Sequence, residues 1–274
     1  AAGWGTDSCG SVRYPAAHND LYALRPTEGL TSRSGLIPLS TTLDTMSAMA
    51  RSVVDLAIVL DATAGVDPED PTTVPVDASY VDAVDPNGLA GRRIGLLTGT
   101  VNADVERLMT AAIDDMKANG VEVVDVALPS EEGSYNFFGE FGFAMNEYLA
   151  GQPDAPVRTI KEIADMNVGV SAVQEGLGYA SDGVSPESDE AYRAAVAGRP
   201  VFRDAVVAIM DEHDLDAIAY PANRWTLPAV GEPYTGPFDC IAAGFGGLPA
   251  MELPIGFLPD GIPVGMELMG RPSA

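Results

Sequence analysis

Near its amino end the chain reads Gly5-Thr6-Asp7-Ser8-Cys9-Gly10-Ser11-Val12-Arg13-Tyr14-Pro15-Ala16. The stretch combines small residues with several hydroxyls, one thiol, one carboxylate and one guanidinium. Small side chains let successive backbone N–H groups converge on one point, which is how an anion nest or an oxyanion hole is built. A serine at the end of such a loop would hold its Oγ beside those donors, as acyl transfer requires. A tight Gly/Ser turn between strands, with no catalytic role, is the alternative that composition leaves open.

Other nucleophiles and bases can be weighed from the same residues. The Gly-x-Ser-x-Gly pattern of a Ser–His–Asp enzyme does not occur around Ser11. His18 is either a catalytic partner or a surface imidazole, and His213 is expected at a helix end, where it complements the dipole. Cys9 and Cys240 are far apart in sequence, and we expect free thiols in a disulfide-poor protein. A thiol nucleophile at Cys9 with His18 as base is a third hypothesis.

The clearest structural pattern lies further along the chain. Residues 93–97 predict a strand, Asn102 can cap a helix that ends at Gly120, and residues 121–126 predict a second strand. Short links between these elements favour a parallel βαβ unit with a right-handed crossover.

The remaining elements are predicted around this unit. Residues 1–45 are punctuated by turn residues and predict loops and short strands. Apolar residues at helical spacing predict a helix from Val53 to Ala64, and residues 134–213 are mostly helical. Further strands are predicted at 216–221, 250–257 and 263–268. This order of elements predicts an α/β fold with a mixed, mostly parallel β-sheet covered by helices.

The opening stretch resembles the core of the amidase signature family, whose usual form is G-T-D-x-G-G-S-I-R-x-P-A. Further motifs of that family follow in the same order: Leu24-Arg25-Pro26-Thr27, Ser32-Arg33-Ser34-Gly35-Leu36-Ile37-Pro38, Leu43-Asp44-Thr45, Met49-Ala50-Arg51-Ser52-Val53, Asp216-Ala217-Ile218 with Pro221, Gly247-Leu248-Pro249-Ala250, and the closing run from Asp260 to Gly270. The resemblance covers essentially the whole chain. The run at 35–38 is nearest to the peptide amidase or aryl acylamidase branch.

This resemblance implies an amide hydrolase that acts on a carboxamide or anilide through a serine–cis-serine–lysine triad. Ser11 aligns with the nucleophile, and Asp7 and Arg13 align with residues that support the loop. The oxyanion hole aligns with the backbone N–H groups of Ser8, Cys9, Gly10 and Ser11. The implied chemistry is acylation of Ser11, release of ammonia or an amine, and hydrolysis by water, with no metal and no cofactor.

Two catalytic groups of the family have no counterpart in this sequence. The lysine and the cis-serine lie upstream of the Gly-Thr-Asp motif in the family, and this chain begins only four residues before it. Lys117 and Lys161 lie on predicted amphipathic helices and are expected in solvent. We therefore expect residues 1–274 to be a single amidase-signature domain, incomplete at both ends, with a helical insertion at 134–213.

Several positions depart from the family pattern. Cys9 replaces a glycine, which would cost about 1 kcal/mol if that position needs a positive φ. Asp20 and Ala23 also replace glycines, and Glu267 stands where glutamine is common. These departures, together with the missing lysine, keep a second hypothesis open. In that hypothesis the chain is a catalytically inactive or truncated member that serves as a binding or assembly subunit.

Composition limits the remaining classes. The 274 residues include 40 acidic and 15 basic side chains, which give a net charge of −25, so binding to a nucleic-acid polyanion is not expected. Hydrophobic residues make up 46% of the chain, enough to build a core. Lysine occurs only twice. An acidic surface of this kind is halophilic-like, and a high-GC genome in which arginine displaces lysine explains it equally well.

The expected partners and location follow from these points. The partner is a small-molecule amide, with no nucleic acid and no membrane, since no run of 18 apolar residues occurs. A missing N-terminal segment or a homo-oligomer would complete the assembly. Two histidines are too few for a multi-histidine zinc site. We expect a cytoplasmic protein, and secretion stays open because the natural N-terminus is expected upstream.

Overall fold

The computed structural model describes residues 1–97, 99, 101–129, 140–169, 176–177, 185, 188–225, 228–229, 232 and 241–272. The strands of this part of the chain are β1 (Ala2–Thr6), β2 (Tyr22–Arg25), β3 (Met46–Ala50), β4 (Arg93–Leu97), β5 (Glu122–Val126), β6 (Ala217–Pro221), β7 (Ala250–Phe257) and β8 (Pro263–Met269). Its helices are α1 (Arg13–Ala17), α2 (Val53–Thr63), α3 (Ala103–Ala118), α4 (Phe141–Ala150), α5 (Ile160–Met166), α6 (Glu190–Glu212) and α7 (Ile241–Gly246).

The described strands form one sheet in the order β1-β3-β2-β7-β8-β6-β4-β5. Strand β4 runs parallel to its neighbours β5 and β6, whereas the other neighbouring pairs are antiparallel. The predicted α/β fold with a mixed sheet is therefore confirmed, but the expected predominance of parallel pairs is wrong. Part of the reason is the short turn at 259–261, because strands joined by a tight turn must pair antiparallel.

The unit formed by β4, α3 and β5, called the crossover unit below, matches its prediction closely. The Asn102 side chain accepts a hydrogen bond from the Asp104 N–H at 2.9 Å and so caps α3. The helix ends before Gly120, which has φ +88°. The helix buries one apolar stripe, which consists of Val105, Leu108, Met109, Ile113 and Met116. These residues pack on one face of the sheet, against β4 and β8 among others.

The opposite face of the sheet carries α6 and α7. Buried residues of α6, such as Phe202 and Met210, pack with Ile218 of β6 and Met269 of β8. The Asp189 side chain caps α6 by accepting from the Tyr192 N–H at 3.0 Å. Between β5 and β6 the described residues form α4, α5 and α6. That residues 134–213 form a helical insertion within a single domain stays a prediction.

The first 50 residues contain one element that the sequence did not predict. Helix α1 follows directly after the Gly/Ser-rich stretch, where the punctuation by Gly10 and Pro15 indicates only a turn. Pro15 fits because it lies in the first turn, where backbone N–H groups have no partner within the helix. No helix among the described residues is long and apolar enough to span a bilayer.

Candidate active site

Residues 7–13, called the Ser11 loop below, join the end of β1 to the start of α1. Ser11 is exposed, whereas Asp7 and Arg13 are completely buried and Val12 is 1% exposed. The loop therefore presents one hydroxyl to solvent while charged groups hold it from within the protein.

The carboxylate of Asp7 organises the loop. Its Oδ1 accepts from the Gly10 N–H at 2.7 Å, and its Oδ2 accepts from the N–H groups of Val12 and Arg13 at 3.3 and 3.4 Å. The Arg13 Nε donates to the same Oδ2 at 3.1 Å. The chain is thus wrapped around a single carboxylate, and the supporting role of Asp7 and Arg13 in an active site stays a prediction.

Gly10 is required at the bend of the loop. Its φ is +101°, and a Cβ built there would lie 2.8 Å from the Tyr14 ring, so both the backbone and the space demand glycine. Because its N–H is committed to Asp7, Gly10 differs from Ser8 and Ser11 among the predicted oxyanion donors. Among the described residues, the N–H groups of Ser8 and Ser11 donate to no acceptor.

Two buried arginines surround Asp7 and fix its charge. Arg13 also pairs with Glu267 on β8, and Arg25 on β2 donates to the backbone carbonyl of Asp7 and to that of Leu43. Burial alone would raise the pKa of Asp7, but the two guanidinium groups outweigh it and hold that pKa well below its usual range. Asp7 is therefore ionised at neutral pH.

A second carboxylate anchors the start of the loop. The Ser8 hydroxyl donates to Asp44, which also accepts from the Leu39 and Ser40 N–H groups at 2.8 and 3.0 Å. Burial raises the pKa of Asp44. Helix α7 closes against this point, since a Cβ on Gly244 would lie 2.6 Å from the Ser8 carbonyl oxygen.

Asp44 also lines a cavity of about 330 Å³. Its other lining residues include Arg33, Leu36, Pro38 and Tyr148. A volume of this size is at the lower end of small-molecule pockets.

Cys9 differs from its prediction in two ways. It is disulfide-bonded, so the expectation of a free thiol is wrong for this residue. The chain's other cysteine, Cys240, lies outside the described residues. Cys9 is also absent from the non-glycine residues with positive φ, whereas Asp20, another glycine replacement, has φ +55°. The positive φ considered for Cys9 is therefore not found at Cys9. The glycine replacement that has a positive φ is Asp20, shortly after the end of α1.

The histidines and lysines lie outside the Ser11 loop. The His18 Nε2 lies 2.9 Å from the Asn223 Nδ2, and burial lowers the pKa of His18. His213 forms the C-terminal cap of α6, at the helix end where it was expected. Lys117 is exposed on α3, and Lys161 pairs with Asp165 on the exposed side of α5. A disulfide-bonded Cys9 and an Asn-bonded His18 do not support the thiol hypothesis.

Sequence reasoning misses the buried polar groups beneath the loop. The sequence marks Glu267 only as a departure from glutamine, and it does not single out Glu252 or Tyr220. The available signal is a charged residue flanked by apolar ones in each strand, Met251-Glu252-Leu253 and Met266-Glu267-Leu268. Within a buried strand such a residue needs a partner. No group of three or more metal-ligating side chains occurs in the part of the chain that the structure describes.

Comparisons with known proteins agree with this architecture. The sequence model of the family described as Amidase matches residues 1–274. A glutamyl-tRNA(Gln) amidotransferase subunit from Chlorobium chlorochromatii is 31% identical over 97% of this chain and 61% of that protein. Its counterpart from Levilactobacillus brevis is 32% identical, over 99% and 60% respectively.

Among solved structures, the native peptide amidase from Stenotrophomonas maltophilia superimposes with a TM-score of 0.86 at 34% identity. That match covers 99% of this chain and 59% of the peptide amidase. The chain thus spans about 60% of the length of the curated relatives it matches.

Proposed function

From the premise that this chain belongs to the amidase family, we propose that it carries the nucleophile and oxyanion hole of a serine-dependent amide hydrolase. The observation that carries this proposal is the Ser11 loop, in which an exposed serine stands on a bend held by a buried, ionised Asp7. A loop fixed in this way offers its backbone N–H groups without reorganisation during the reaction.

In the proposed reaction the Ser11 Oγ attacks the carbonyl carbon of a carboxamide or anilide. The carbonyl oxygen becomes an oxyanion, and the N–H groups of Ser8, Cys9 and Ser11 are the proposed donors to it. The N–H of Gly10, the fourth donor that the family resemblance implies, supports the loop through Asp7 instead. The C–N bond then breaks, ammonia or an amine leaves with the hydroxyl proton, and water hydrolyses the acyl-serine ester.

The proposed reaction also needs a base that receives the Ser11 proton. The family resemblance assigns it to a lysine that acts through a cis-serine. Both lysines of this chain are exposed on helices, so neither matches that role. The complete activity is therefore proposed for the whole gene product.

The test is to replace Ser11 with alanine in the complete gene product. Amide turnover should fall at least about 1,000-fold while the melting temperature is unchanged, because the hydroxyl faces solvent. Ser188→Ala, which removes another exposed serine hydroxyl, is the matched control and should keep full turnover. Cys9→Ser should retain turnover if the protein folds. Unchanged turnover in Ser11→Ala would refute the proposed nucleophile.

The curated relatives favour a second candidate function. They are subunits of an amidotransferase, and this chain could likewise serve as a binding or assembly subunit without hydrolysing amides itself. A reactive phosphonate that labels activated serines separates the two. Labelling at Ser11 in the complete product supports the hydrolase, whereas an unlabelled, inactive product that binds another protein supports the assembly role.

A further inference from the structure

A row of polar side chains crosses the sheet beneath the Ser11 loop. Glu252 on β7 is the register partner of Glu267 on β8, and Glu267 is in turn the register partner of Tyr220 on β6. Residues directly opposite each other in adjacent strands project from the same face of a sheet. Both glutamates are 0% exposed, so two carboxyl groups lie side by side out of contact with bulk solvent.

These carboxyl groups differ in their partners. The Glu267 Oε2 accepts from Arg13 and from the Tyr220 hydroxyl, the latter at 2.8 Å. Within the part of the chain that the structure describes, neither oxygen of Glu252 has a hydrogen-bond partner, and the Glu267 Oε1 has none either. Three buried acceptors in one place without a donor are unfavourable, and a single proton between them would satisfy two.

The charges around the row also favour one proton on these two carboxyl groups. The Ser11 loop and α1 contribute Asp7 and Arg13, and β2 contributes Arg25, all completely buried. With Glu267 these groups balance as two cations and two anions. Tyr220 adds no charge, since burial and Glu267 raise its pKa well above its usual range. The pair Glu28–Arg199 beyond Arg25 is itself balanced. An ionised Glu252 would therefore be an uncompensated buried anion.

Gly265 on β8 fixes the position of the unpaired carboxyl. A Cβ built on Gly265 would overlap the Glu252 carboxyl group, so glycine is needed there to leave room. The Glu252 side chain is thus accommodated inside the sheet packing, next to Glu267.

We propose that Glu252 is a neutral carboxylic acid in the folded protein, and that it shares its proton with the Glu267 Oε1. Glu252 then acts as a positioning residue, because a proton held on Glu252 leaves the negative charge on Glu267, which together with Asp7 holds Arg13 under the Ser11 loop. Burial and the neighbouring Glu267 both raise the pKa of Glu252 well above its ordinary value of 4.5, and Arg13 opposes them only in part.

The experiment for the proton uses infrared spectroscopy and needs no substrate. At pH 7 the folded chain should show the absorption of a protonated carboxyl, and Glu252→Gln should remove it while the amide donates to Glu267 instead. Glu122→Gln, at an exposed strand position, is the matched control and should leave the band unchanged. A band that persists in Glu252→Gln, or that is absent from the unsubstituted protein, would overturn the proposal. If Glu252→Gln does not fold, Glu252→Leu takes its place and should likewise remove the band.

Unfolding against pH gives a second readout. Because the pKa of Glu252 is raised in the folded protein, its contribution to stability is fully present below pH 4.5. Above pH 4.5 the unfolded chain releases this proton while the folded protein keeps it, so the contribution declines as pH rises through the folded pKa. The unfolding equilibrium constant should therefore increase by up to about tenfold per pH unit in that window. Glu252→Gln should remove this contribution. An identical slope in both proteins counts against a bound proton.

The positioning role rests on the proposed function, and a separate arm tests it. In the complete product, turnover by the unsubstituted protein should decline at alkaline pH as Glu252 loses its proton. Glu252→Gln should abolish this decline with KM unchanged, whereas Glu252→Leu should lower kcat at every pH. If Ser11→Ala shows that the serine is not used, this arm loses its meaning, but the infrared and unfolding results still stand. Unchanged pH profiles in both Glu252 variants of an active enzyme would reject the positioning role.

Discussion

The Ser11 loop and the crossover unit are stabilised in opposite ways. The loop is held by buried charges: Asp7 is completely buried and is bonded to three backbone N–H groups and two arginines. The crossover unit is held by an apolar stripe on α3, in which Val105 and Ile113 are 1% and 5% exposed. Apolar burial stabilises without direction, whereas a buried carboxylate is stable only where each oxygen meets a donor.

The partners of the buried carboxyl groups determine how the stability of each region depends on pH. Asp7 and Glu252 are equally buried, yet Asp7 faces two cations and Glu252 faces another carboxyl group. The pKa of Asp7 is lowered and that of Glu252 is raised. The loop region is therefore expected to respond to pH at both ends of the scale, while the crossover unit has no buried titratable group on its apolar stripe.

The largest expected effect is that of Asp7→Asn. It leaves Arg13 and Arg25 with one buried anion between them, and breaking a buried ion pair typically costs about 3–5 kcal/mol of unfolding free energy. Because the folded pKa of Asp7 is depressed, its contribution is present above the unfolded pKa of about 3.8 and is lost as pH falls toward the folded value. Chemical denaturation should therefore show a large deficit at pH 7 that shrinks below pH 3.8.

Asp104→Asn is the control for this substitution, since it makes the same chemical change at a half-exposed position of α3. It should change the unfolding free energy by less than about 1 kcal/mol. Equal deficits for the two variants, or a deficit for Asp7→Asn that is independent of pH, would contradict the electrostatic account of the loop.

Ile113→Ala addresses the apolar side of the comparison. Removing a buried isoleucine side chain from a packed stripe typically costs about 2–4 kcal/mol through lost transfer energy and the cavity left behind. Ile113→Val should cost about 1 kcal/mol. Both deficits should be the same from pH 4 to pH 8 in denaturation curves. A pH-dependent deficit for Ile113→Ala would show that the two regions are coupled rather than independent.

The two regions also differ in how far sequence alone predicts them. The crossover unit is predictable almost residue by residue, because Asn102, the apolar spacing and Gly120 are local signals that all agree. The Ser11 loop can be found through its motif, but the local pattern at α1 predicts only a turn. The motif names Asp7 and Arg13 without showing what holds them.

The residues behind the loop are brought together only by the fold. Arg25, Glu252 and Glu267 lie on three different strands, and pairing between distant strands is not encoded by local spacing. The same holds for Asp44, whose bond to Ser8 spans 36 positions in sequence. A glutamate in an apolar strand signals that a partner is needed, but the partner's identity comes from the register.

The smallest effect concerns the ends of the two helices. After α3 the chain turns at Gly120 with φ +88°, and after α1 it turns at Asp20 with φ +55°. Aspartate tolerates this left-handed backbone better than alanine does, although less well than glycine. Asp20→Ala should therefore destabilise by about 1 kcal/mol, as should Gly120→Ala. Asp20→Gly should be neutral or stabilising by about 0.5 kcal/mol, because relief of strain offsets the added freedom of the unfolded chain. Thermal melts of the three variants decide this. If Asp20→Gly is the most destabilised, the Asp20 side chain rather than its backbone determines the turn, and the two helix ends are not equivalent.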